Sequence, residues 1–134
     1  MLAAILKLKQ DKKYDQALEQ LQGAFPNLFG IEHRTLVAVD SSSAAELLHD
    51  AARIKILARL LNEEADLHRS QGDDAFAAAK RLHALELYIE AVLHSSADPE
   101  ISAAIDSLRG EFEAADVGEK YRNWLQSRAH SFPE

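Results

Sequence analysis

Apolar residues recur at helical spacing along most of the chain. Over residues 2–10, Leu2, Ile5 and Leu6 share one side with Lys9. Over 14–28, Tyr14, Ala17, Leu18, Leu21, Ala24 and Phe25 make a second stripe. Pro26 conflicts with that stripe, so the helix is expected to stop at Ala24 or kink there, with Gly30 closing the segment. Residues 31–42 lose the rhythm. The run "TLVAV" suits a strand, but a lone strand has nothing to pair with, so a loop or a single helical turn is expected. Ser43 and Glu46 then have the spacing of a capping box, which predicts a helix start. Either one helix runs on to Ser70 or the chain breaks near His49–Asp50. The stripe of 44–48 does not phase with Ile54, Leu57, Leu61 and Ala65, which favours the break.

Gly72 ends this helix, since glycine takes the left-handed conformation at little cost, and Asp73 is placed to cap the next. That helix is predicted to reach about His94, with Ala78, Leu82, Leu85, Ile89 and Val92 inward. Asp98-Pro99 is a further start signal, followed by Ile101, Ala104, Ile105 and Leu108 at helical spacing. Gly118 marks a joint. Tyr121, Trp124 and Leu125 then form one apolar stripe, with Arg122, Gln126 and Arg128 facing water and a frayed end beyond. This stripe either caps its own chain, on the 73–94 or 99–114 helix, or contacts a partner or a second copy.

Composition strengthens the helical pattern. The 134 residues include 23 Ala and 19 Leu but only 5 Gly and 3 Pro, and Ala and Leu lose least on entering a helix. The expectation is one all-α domain over 1–134, of antiparallel hairpins with about six or seven helices. No cysteine is present, which excludes disulfides and thiolate chemistry and suits the cytoplasm. The net charge of −7 argues against nucleic acid as a partner. The charge is segregated nonetheless. Lys7, Lys9, Lys12 and Lys13 oppose only Asp11, whereas residues 98–119 carry Asp98, Glu100, Asp106, Glu111, Glu113, Asp116 and Glu119 against Arg109. Both groups are expected to be solvated helix faces. No apolar run approaches the ~20 residues of a membrane span, and "MLAAILKLK" does not have the form of a secretory signal.

Residues 58–87 resemble a tetratricopeptide unit, a helical hairpin of about thirty-four residues. Ala65 matches the small residue of its first helix, Gln71-Gly72-Asp73 its turn, and Ala77 and Ala84 the small residues of its second helix. A weaker match spans residues 1–25, where Ala17 and Ala24 repeat the spacing. Two residues depart from the pattern: Glu64 stands where it has Leu, and Arg81 where it has an aromatic residue. No Pro follows the second helix. The full arrangement, including "LARLLNEEADLHRSQGDDAFAAAKRLHALELYIEAVL", resembles a family of bacterial tetratricopeptide-like proteins with no assigned activity. The resemblance implies a hairpin fold and a prokaryotic source, and it transfers no binding residues.

Chemistry is sparsely signalled. The six His (33, 49, 68, 83, 94 and 130) include no H-E-x-x-H arrangement. Glu64 and His68 are one turn apart and are expected to be a surface pair. His83, Glu86 and Glu90 share a face, but in the reverse order and single copy relative to the Glu-x-x-His pairs of di-iron bundles. Glu63 and Glu64 point about 100° apart, so they are expected to be solvated rather than an acid–base pair. Ser41–Ser43 lack the strained turn of a nucleophile elbow and are explained by helix capping. No catalytic, cofactor or metal site is expected. The expectation is a scaffold that binds a protein or peptide, with Tyr121, Trp124 and Leu125 as candidate contacts and self-association as a further possibility. The alternative is a ligand-binding or enzymatic domain with an internal site.

Overall fold

The computed structural model describes residues 2–94 and 98–127. These residues form nine α-helical segments and no strand: α1 (Leu2–Gln10), α2 (Tyr14–Gly23), α3 (Phe25–Phe29), α4 (His33–Ala38), α5 (Ser41–Leu48), α6 (Ala51–Ser70), α7 (Asp74–His94), α8 (Pro99–Arg109) and α9 (Glu119–Ser127). A 3-10 turn, Ala114–Asp116, precedes α9. The fold is all-α. Arg128, His130 and the expected frayed end lie outside the described residues. Among those described, no helix is long and apolar enough to cross a membrane.

Local chemistry accounts for most boundaries. Pro26 cannot donate to the helix before it, so the 14–28 stripe divides at Ala24 into α2 and α3. Gly30 closes α3 with φ +69°. "TLVAV" lies in and after the short helix α4. The chain does break after Leu48. His49 turns left-handed at φ +62°, and Asp50 caps α6 by accepting from the Ala52 N–H. One cap differs from expectation. Helix α5 begins at Ser41, and Asp40 rather than Ser43 is its cap, accepting from the Ser43 N–H at 2.7 Å. A carboxylate at the N-terminus is also favoured by the helix dipole. Asp73 and Asp98 cap α7 and α8 as expected.

The central unit is the α6–α7 hairpin, turned at Gly72 with φ +85°. On one side α2 packs on α6 and α1 on α2; on the other, α8 packs on α7. Helix α5 fills the groove between α6 and α7, and α9 lies on α7. The basic α1–α2 hairpin and the acidic α8 therefore stand at opposite ends of the stack. Ala65, Ala77 and Ala84 are buried, as small residues must be where two helix backbones approach closely. The inner face of α7 is wider and rotated from the expected stripe. Ala78 is exposed, while Ala77, Ala84, Leu85, Leu87, Tyr88 and Ile89 are buried, with Lys80 and Glu90 among them. Helix α7 is covered on several sides, so a single stripe underestimates its buried surface.

Candidate functional site

Glu64 is 1% exposed, which corrects the expectation of a solvated residue and of a surface pair with His68. It stands where the hairpin pattern places Leu, on the face of α6 that looks toward α2, α4 and α7. Gln22 Nε2 donates to its Oε2 at 3.0 Å, and His33 Nε2 lies 2.9 Å from the same oxygen. A carboxylate only accepts, so this geometry assigns the His33 proton to Nε2. Lys80 Nζ is 3.3 Å from Oε1. Burial alone would push the carboxyl up. The His33 bond, the Lys80 charge and the Gln22 amide outweigh it and bring the pKa from 4.5 to about 2. Glu63, half-buried, instead pairs with Lys9 at 3.3 Å.

The polar seam continues down α7. Ser41 donates to Glu86 at 2.8 Å, joining the start of α5 to α7. Glu90 is 1% exposed and accepts from Lys120 Nζ and from the Tyr121 hydroxyl, both at 2.7 Å. Burial and this bond to a carboxylate push the Tyr121 hydroxyl pKa far up. A cleft of about 290 Å³ opens here, lined by Ser41, Ser42, Glu86, Gly118, Lys120 and Tyr121 among others. Glu86 and Glu90 accept from protein groups, and Glu64 accepts at Oε2 while its buried Oε1 faces the Lys80 charge without a hydrogen bond. These bonds tie α2, α4, α5, α6, α7 and α9 together.

His83 lies within the seam with its Nε2 buried and without a hydrogen-bond partner. Burial and then the Lys80 charge lower its pKa to about 4, so the ring is neutral at pH 7. His68 packs edge-on to Phe76 at 4.4 Å between ring centroids, and its Nε2 is likewise unpartnered. Among the described residues, no three His, Asp or Glu side chains are grouped to hold a metal ion. Arg81, at the other departure from the pattern, bonds Asp66 of α6 and Glu111 beyond α8.

Of the three candidate contact residues, Tyr121 and Leu125 are buried in their own chain, and Trp124 is half-buried beside the core. A partner can reach Trp124 with α9 in place but not the other two. Several large apolar side chains face outward elsewhere: Leu6, Leu47, Ile56, Phe76 and Leu93. Leu47 borders an open cleft with Ser43, Glu46 and His49. Leu6 borders a larger one, of about 650 Å³, with Ala3, Lys7, Lys9, Gln10, Tyr14 and Ser70.

Sequence reasoning singled out Glu64 as a departure without drawing the buried cluster from it. A charged residue at an apolar repeat position was the available signal. Gln22, His33, Lys80 and Lys120 carried none, because each meets its carboxylate from a separate element. No protein-family model, no curated protein and no solved structure matches the chain.

Proposed function

We propose that this chain is a non-catalytic scaffold of the tetratricopeptide-like kind, which holds a segment of another protein in the cytoplasm. The observation that carries it is the division of labour between core and surface. Glu90 and the Oε2 atom of Glu64 are held by protein donors inside the fold, while apolar side chains such as Leu6 and Leu47 line clefts open to solvent. Such apolar openings with polar rims are characteristic of surfaces that meet other proteins. Stacked hairpins with buried alanines at the close approaches support the same reading. An internal ligand site is the second reading, favoured by the unpartnered buried nitrogen of His83.

Photo-reactive side chains placed at Leu6, Leu47, Ile56 and Leu93 test the scaffold. All four are exposed, so the fold tolerates them. Cross-links confined to one face, formed with a defined polypeptide and suppressed by excess untagged protein, are expected. A chain that sediments alone in extracts and cross-links nowhere would sink the reading.

A further inference from the structure

Helix α9 is seated on α7 by few groups. It has nine residues, below the roughly 12–15 that an isolated helix needs in water, so it is helical because it is seated. Of the nine, Tyr121 and Leu125 are buried. Val117, packed in the core, anchors the chain before it, and Gly118 is the joint between that anchor and α9. The rest of the hold is polar and converges on α7. Among the described residues, the hydrogen-bond donors to the Glu90 carboxylate are Lys120 Nζ and the Tyr121 hydroxyl, both from α9. His94 Nδ1 stays 3.8 Å from that carboxylate and bonds the Glu90 carbonyl instead. One turn back, Glu86 accepts from the Gly118 N–H at 3.4 Å. A carboxylate is a poor group for a permanent seal. An apolar side chain of similar volume commonly holds such a contact as well or better, because it gives up no hydration. With Glu90 in the seat, closure costs the hydration of a charge, and opening returns it.

We propose that α9 is a displaceable strap, and that its seat on α7 receives a helical segment of a partner protein with the pattern of α9 itself: a lysine, a tyrosine directly after it, and a leucine one turn beyond. The inference rests on the scaffold reading and names the partner's chemistry. The seat dictates the pattern. Its occupant must bring an ammonium and a hydroxyl donor to Glu90, since a buried carboxylate left without donors is costly. It must also fill the apolar place where Leu125 is fully buried. Asp40 and Glu86 line the adjoining cleft, so an acidic segment is repelled while a lysine is drawn in. The partner competes with α9 for one place, and its apparent affinity is lowered by the fraction of chains in which α9 is closed.

The test uses the full chain and a tryptophan-free synthetic peptide of about 15 residues, long enough to hold a helix, with Lys, Tyr and Leu at the spacing of α9. Labelled with fluorescein, it should bind saturably by anisotropy. Unlabelled, it should shift the emission of Trp124, the only tryptophan, to the red over the same concentrations, as α9 leaves its seat. Tyr121→Ala with Leu125→Ala empties the seat, and this chain should bind about tenfold or more tightly, because no competitor remains within it. A control peptide with Glu for Lys and Phe for Tyr should bind about tenfold or more weakly than the first. Glu90→Gln should erase most of that preference, which a merely structural role would not do. Equal binding by the wild-type and emptied chains, binding without a change in Trp124 emission, no binding by a chain of unchanged circular dichroism, or indifference to the control would overturn the inference. Should the emptied chain fail to fold, the wild-type emission and Glu90→Gln decide alone. Wild-type and emptied chains that sediment as a pair while neither takes the peptide would assign the seat to a second copy and overturn it as well. The scaffold's cross-links should come from Leu93, three residues beyond Glu90. Cross-links from Leu6 or Leu47 but none from Leu93, with the peptide failing, would reject this seat and leave the scaffold standing; cross-links from no position reject both.

Discussion

Glu64 remains an ion in a site nearly closed to water because its partners return more than hydration did. This has a consequence in acid. The carboxyl titrates at 4.5 in the unfolded chain and at about 2 in the folded one, so between these values the unfolded state binds the proton that the native state refuses. The stability it contributes is complete above about pH 4.5 and is lost as pH falls toward 2. The size is about 3 kcal/mol. We expect Glu64→Gln to cost about 3–5 kcal/mol at neutral pH and to flatten the acid loss in urea unfolding at pH 3 and pH 5. It should not abolish that loss. Asp66 is also held low, its bonds from Arg81 and Lys9 overcoming its burial. His83 acts in a higher window. Its ring titrates at 6.5 unfolded and at about 4 folded, so the unfolded state again holds the extra proton between them. The neutral ring costs nothing above about pH 6.5, and stability falls as pH descends toward 4. His83→Leu is expected to remove this part: its urea midpoint should change less between pH 7 and pH 5 than that of the wild type. A left-handed residue offers a separate check. His49 has φ +62°, so His49→Gly should raise thermal stability slightly, by about 0.5 kcal/mol, as strain relief exceeds the added freedom of the unfolded chain.

At the scale of elements, what the sequence makes legible is what neighbouring residues decide. The break at Pro26, the Gly72 turn and the Asp73 and Asp98 caps all depend on a few adjacent residues, and the break near His49–Asp50 shows as a change of phase in the apolar stripe, though the left-handed turn at His49 does not. The Asp40 cap was missed because Ser43–Glu46 offered an equally good local signal three residues later. Glu64 and Arg81 were visible as departures from a hairpin pattern, but their partners come from elements up to 42 residues away, and no period in the chain encodes such meetings. The α6–α7 contact is where hairpin register can be tested. Ala65, Ala77 and Ala84 are all fully buried or nearly so, and Ala84 has no room for a ring. Ala84→Phe should force the helices apart at a cost of about 1–3 kcal/mol, read as a lower denaturant midpoint. Ala78→Phe, at an exposed position of the same helix, should leave the midpoint nearly unchanged.

For the whole molecule, the decisive question is how a stack of hairpins closes its open faces. Helix α9 covers part of α7. Leu125 is fully buried and Tyr121 nearly so, and the Tyr121 hydroxyl reaches Glu90 across the contact. The helix is thus bound both by apolar area and by a hydrogen bond to a buried charge, a kind worth about 1.5–3 kcal/mol. Tyr121→Phe keeps the ring and removes the hydroxyl, so Glu90 retains Lys120 but loses its buried neutral donor. Trp124 is the only tryptophan in the chain and is packed against the core, so its emission reports this helix alone. Because the contact lies within one chain, the emission should be blue-shifted and unchanged on dilution, with sedimentation giving a constant mass. In Tyr121→Phe it should shift red at lower urea concentrations than the wild type, ahead of the helical signal at 222 nm, because α9 would release before the α6–α7 hairpin unfolds. Coincident transitions in that variant would mean that α9 and the hairpin form one cooperative unit. A red shift on dilution, accompanied by falling mass, would instead assign the apolar face of α9 to an interface between chains.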